Sequence, residues 1–77
     1  MEIKILGTGC PNCISLEKRV RLLVKRENIQ ATIVMVKDIM EIMKYGVMST
    51  PALVVNEKVV AKGRVPKDNE ILGWLSV

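Results

Sequence analysis

Polar and apolar residues alternate at the start of the chain. Glu2-Ile3-Lys4-Ile5-Leu6 has the period-two pattern of a short strand, and Gly7-Thr8-Gly9 breaks it. From Pro11 to about Glu27 the period lengthens. Leu16, Val20, Leu23 and Val24 recur at helical spacing, with Cys13 on the same stripe. Pro11 suits a first helical turn, where its missing N–H has no partner to lose, and Asn28 suits a left-handed terminator. Residues 31–36, Ala-Thr-Ile-Val-Met-Val, form a nearly continuous apolar, β-branched run. That pattern predicts a strand buried on both faces, as in a parallel sheet. Asp38 and Glu41 have capping-box spacing and open a short helix, about 38–45, that ends at Gly46. Residues 52–55 and 58–61 are apolar runs flanking Asn56-Glu57, a two-residue hairpin turn. Gly63 ends the second of these strands. Pro66 then opens a last helix whose buried side is Ile71, Leu72, Trp74 and Leu75.

The predicted order is therefore β-α-β-α-β-β-α. A β-α-β start implies a right-handed crossover and a parallel pair, and the hairpin adds two antiparallel strands. The expectation is an α/β chain, one domain over residues 1–77, with a four-stranded mixed sheet and helices on both faces. A chain of 77 residues buries roughly 60% of its unfolded surface, so its core must be apolar and well packed. Hydrophobic residues at 49%, none of them Phe, assign that core to Leu, Ile, Val and Met and exclude a disordered chain.

Charge narrows the picture only a little. Twelve basic and eight acidic residues give a net +4, with no histidine. The one basic cluster, Lys18, Arg19, Arg21, Lys25 and Arg26, lies on the first predicted helix beside Glu17 and Glu27. It reads as a solvated helix face, the alternative being a docking surface for an acidic partner. Without aromatic or base-reading residues beside it, nucleic-acid binding is not expected. No run approaches the roughly 18 apolar residues of a membrane span. Met1 to Leu6 lack a charged segment followed by a long apolar one, so a cytoplasmic setting is expected. Thiols stay reduced there, so two cysteines point to chemistry or metal binding more than to a structural staple.

Cys10-Pro11-Asn12-Cys13 stands at a strand-to-helix junction. Unpartnered amides and the helix dipole at such a place stabilise a thiolate, holding its pKa below the free value of about 8.5. The thiolate is the attacking form in disulfide exchange. Cys10, just outside the helix, is expected to be exposed and nucleophilic. Cys13, one turn in on the buried stripe, is placed to resolve a mixed disulfide, and the two-residue spacing allows the sulfurs to bond. Thr50-Pro51 lies before the third strand. Proline is at home at the first residue of a strand, and an X-Pro bond is also where a cis peptide is found.

These features together resemble the thioredoxin superfamily. The similarity is to the short thioredoxin-like or glutaredoxin-like redox-active disulfide proteins, which lack the first strand and helix of ordinary thioredoxin. It covers essentially the whole chain, with Gly7-Thr8-Gly9-Cys10-Pro11-Asn12-Cys13 and Ser49-Thr50-Pro51-Ala52 as its specific parts. The resemblance implies that Cys10 is the nucleophile, Cys13 the resolving thiol and Pro51 a cis proline facing them. It also implies substrate contacts at Gly9, Pro11, Thr50 and Pro51, with the Thr50 backbone pairing an extended peptide. No cofactor is implied. The partners implied are disulfide-containing proteins and a reductase that supplies electrons to a monomer. Three positions depart from the family pattern. Gly9 stands where ordinary thioredoxins carry a Trp, and Lys4 where they carry a buried carboxylate. Gly63-Arg64 is all that answers to the glutathione-binding Gly-Gly and acidic residue of glutaredoxins. Lys4 is expected to face solvent, which leaves Cys13 without an assigned proton acceptor.

The alternative function is a soft-metal carrier, since two thiolates suit Cu(I). Small copper-carrying domains, however, run β-α-β-β-α-β and carry a Met two residues before the first cysteine, where this chain has Thr8. A third class is an interaction module with an inert disulfide. Met35, Met40, Met43 and Met48 invite a metal reading, but packing is the expected role for residues in or beside buried elements. Tyr45 is expected to pack with its hydroxyl at the surface, unless loop 46–50 folds back over the cysteines.

Overall fold

A computed structural model describes residues 1–75. The elements are β1 (Glu2–Leu6), α1 (Pro11–Arg26), β2 (Thr32–Val36), α2 (Ile39–Lys44), β3 (Ala52–Val55), β4 (Lys58–Lys62) and α3 (Asp68–Leu75). The strands lie in the order β2-β1-β3-β4. β1 runs parallel to β2 and antiparallel to β3, and β4 returns antiparallel to β3. This is the expected four-stranded mixed sheet.

Alternation along β1 divides the core in two. Ile3 and Ile5 point to one face, where they meet Leu53 and Val55 of β3, Leu16, Val20 and Leu23 of α1, and Ile71 and Leu75 of α3. Leu6 points to the other face and joins Ala52 and Val54 of β3, Ile42 of α2 and Val47. Helices therefore cover both faces. α1 and α3 share the larger core, and the six-residue α2 covers part of the smaller one.

The strand buried on both faces is β3, where all four residues are buried, and not β2. β2 pairs as expected but lies at the sheet edge, with Thr32 exposed and Val34 38% exposed. A continuous apolar run signals a strand without saying whether a helix covers its second face, and α2 is too short to do so here. The same shortness explains the methionines. Ile42 is the buried residue of α2, whereas Met40, Met43 and Met48 are exposed, so their expected packing does not hold.

Local signals account for most boundaries. Asp38 caps α2 by accepting the Met40 N–H at 2.9 Å, but Glu41 pairs with Lys44 and leaves the capping box open. Asn28, just past α1, has φ 54°. Asn56 and Glu57 both have positive φ, 50° and 67°, as a tight hairpin of this hand requires. α3 begins at Asp68, after the predicted Pro66. Pro66 is buried, and Glu70 secures the helix start by accepting the Lys67 N–H and a bidentate pair from Arg64.

Candidate active site

One end of the sheet carries the chemistry. Val36, Leu6, Ala52 and Lys62 form its last row across the four strands. Beyond that row, Leu6 runs into the cysteine loop and Pro51 feeds β3 from the adjacent position. Two glycine amides tie the row off: Gly7 N–H donates to the Val36 carbonyl at 3.0 Å, and Gly63 N–H donates to the Pro51 carbonyl at 2.8 Å.

Cys10 is the N-cap of α1, with extended backbone (φ −66°, ψ 162°), and Pro11 occupies the first turn. Cys10 and Cys13 form a disulfide with their Cα atoms 5.0 Å apart. Cys10 is half-buried, less open than the exposed position expected of it. Cys13 is fully buried within the α1 stripe. The Cys13 backbone N–H donates to Cys10 Sγ at 3.2 Å. The first turn of α1 holds no acidic residue, so nothing there offsets the positive end of the helix dipole at this sulfur.

Gly7 belongs to the site, although its sequence signal was only that of a strand breaker. A Cβ on Gly7 would collide with Cys13 Sγ and would lie 2.9 Å from Cys13 Cβ. Only a residue without a side chain lets the buried sulfur rest against the end of β1. Gly9, with φ +97°, makes the turn into Cys10 and is exposed.

The Thr50–Pro51 bond is cis. Pro51 is buried and Thr50 exposed. Thr50 and Thr8, from the two loops at this end, line one apolar groove of about 470 Å³ with Ile39, Met43 and Met48. The structure thus brings together Gly9, Cys10, Pro11, Cys13, Thr50 and Pro51 at one end of the sheet.

Lys4 and Tyr45 lie elsewhere. Lys4 Nζ donates to Tyr45 Oη at 2.8 Å and to Glu57 at 2.7 Å, and Tyr45 Oη donates to Glu57 at 3.1 Å. Glu57 and then Tyr45 hold the ammonium pKa above its usual value, so Lys4 stays charged and is not a base. Tyr45 is held in this network and does not line the groove.

Fold and site together define a small protein with a reactive disulfide at a helix start. The thioredoxin-domain family model matches residues 1–76. A protein named thioredoxin from Methanothermobacter thermautotrophicus is 40% identical over 76 residues, which is 99% of both chains. Another thioredoxin, from Methanocaldococcus jannaschii, is 38% identical over 69 residues, 90% of this chain and 79% of that one. The chain belongs to the thioredoxin family, and its Cys10–Cys13 pair is that of a thiol–disulfide oxidoreductase. Among the described residues no helix is long and apolar enough to cross a membrane.

Proposed function

We propose that this protein is a monomeric, cytoplasmic carrier of two electrons that exchanges its disulfide with other proteins and needs no bound cofactor. The observation that supports this most directly is Cys10 Sγ at the helix cap, accepting the Cys13 N–H. A hydrogen bond to the charged form favours it, so in the dithiol state Cys10 is the more acidic thiol.

Exchange proceeds in two displacements. The Cys10 thiolate attacks one sulfur of a substrate disulfide. A mixed disulfide forms, and the first substrate sulfur leaves as a thiolate. The Cys13 thiol then loses its proton and attacks Cys10 Sγ, forming the Cys10–Cys13 bond and expelling the second substrate thiolate. Two electrons and two protons pass to the substrate, the protons by way of water. A reductase returns the protein to the dithiol. Gly9 and Pro11 leave the approach to Cys10 open, and the Thr50 backbone pairs the substrate chain beside Pro51. The groove between Thr8 and Thr50 receives an apolar side chain next to the substrate cysteine.

Insulin reduction by the dithiol form tests the assignment. Cys10→Ser is expected to abolish activity, and Cys13→Ser to accumulate mixed disulfides visible by mass spectrometry. Alkylation of Cys10 by iodoacetamide should have its pH midpoint below about 8.5. A fully active Cys10→Ser variant would overturn the roles, and a tight Cu(I) complex without exchange activity would favour the metal-carrier alternative.

A further inference from the structure

The basic cluster of α1 is not spent on the exchange chemistry, and the structure sorts it. Arg19 bonds the Pro66 carbonyl at 2.8 Å and pairs with Asp68 of α3 at 3.2 Å. Arg21 pairs with Glu17 at 2.9 Å, and Arg26 with Glu27 at 3.1 Å. Each carboxylate on α1, at its C-cap or facing it from α3 is thus engaged by an arginine. Lys18 and Lys25 form no ion pair among the described residues. Lys37, Lys58, Lys62 and Lys67 form none either, but Lys18 and Lys25 share this one helix face.

The two lysines are not scattered. At 100° per residue, positions 11, 14, 18, 22 and 25 fall on one side of the helix, opposite the buried stripe of Cys13, Leu16, Val20 and Leu23. That outward side carries two large apolar residues in water, Ile14 at 44% and Leu22 at 62% exposed. Leu22, Ser15 and Lys18 also line a shallow depression of about 370 Å³ toward α3. The stripe begins at Pro11, beside Cys10, and runs about 21 Å down the helix.

We infer that this stripe is a docking surface for a redox partner whose face beside its own cysteine is acidic and carries apolar residues. The inference rests on the exchange reading above. Charge complementarity selects the occupant. The unpaired lysines call for carboxylates, and Ile14 and Leu22 call for side chains that exclude water between them. Continuity with Cys10 requires the occupant to hold a thiol or disulfide, which a nucleic acid lacks. Electrostatic steering of this kind raises the association rate and weakens with salt.

Two disulfide-linked peptides of about 16 residues provide the test. One alternates Glu with Leu beside its cystine, and the other alternates Lys with Leu. Their reduction by the dithiol protein is followed by rapid acid quench and mass spectrometry of the released peptide thiols. At low salt the acidic peptide is expected to react about tenfold faster, approaching parity near 0.5 M NaCl. Lys18→Glu/Lys25→Glu should reverse the preference and Lys18→Gln/Lys25→Gln should remove most of it. Lys58→Glu, in the distant hairpin, should leave the preference nearly intact. Equal rates at low salt overturn the inference, as does an effect of Lys58→Glu as large as that of the α1 variants. So does a duplex DNA bound more tightly than the acidic peptide at the same salt. Failure to reduce either peptide, or a short neutral disulfide, overturns the exchange reading itself.

Discussion

At Gly7 one methyl group decides whether Cys13 keeps its place. The added Cβ of Gly7→Ala meets Cys13 rather than a flexible side-chain tip, so either β1 or the first turn of α1 must shift. Overpacking of this kind costs about 1–3 kcal/mol. Urea unfolding of the oxidised protein should register that loss, and exchange should slow because the two sulfurs lose their alignment. The ionic residues give a second prediction. Lys4 lowers the pKa of Glu57, and Arg64, with the Lys67 amide, lowers that of Glu70. A depressed carboxyl pKa contributes stability above its unfolded value and loses it as pH falls through the folded value. Stability should therefore decline below about pH 4.5, and Glu57→Gln and Glu70→Gln should each flatten that decline in acid titrations followed by circular dichroism. Lys4 acts at the other limit. Its raised pKa contributes below 10.5 and is lost above it.

Among the elements, local signals carried far. The alternation of residues 2–6, the positive-φ pair Asn56-Glu57 and the stripe through Cys13 each lead to an element with nearly the observed bounds, because each rests on interactions within a few residues. What failed depended on distant partners. The run at 31–36 carries no mark of being an exposed edge strand, since its place is set by the order in which the strands pair and its exposed face by how much sheet the six residues of α2 can cover. The exposure of Met43 and Met48 has the same origin, and the role of Gly7 depends on a sulfur six positions later. A paired substitution checks this account. Val34→Thr at the edge should change stability by less than about 0.5 kcal/mol. Val54→Thr, which buries a hydroxyl at a fully enclosed position, should cost about 1–3 kcal/mol.

Across the whole molecule, the cysteine loop follows β1 and the proline loop precedes β3, and these two strands are the inner neighbours of the sheet. Each has a bonded strand on both sides, whereas β2 and β4 have one. Opening free energies differ between such strands, and the least-supported segments open first. Deuterium should therefore enter the β2 and β4 amides well before those of Ile5 and Leu53. The inner pair can thus hold the strands that carry the sulfur pair and the Thr50–Pro51 turn while the rims fray, and the Gly7–Val36 and Gly63–Pro51 bonds are the two points through which rim motion reaches them.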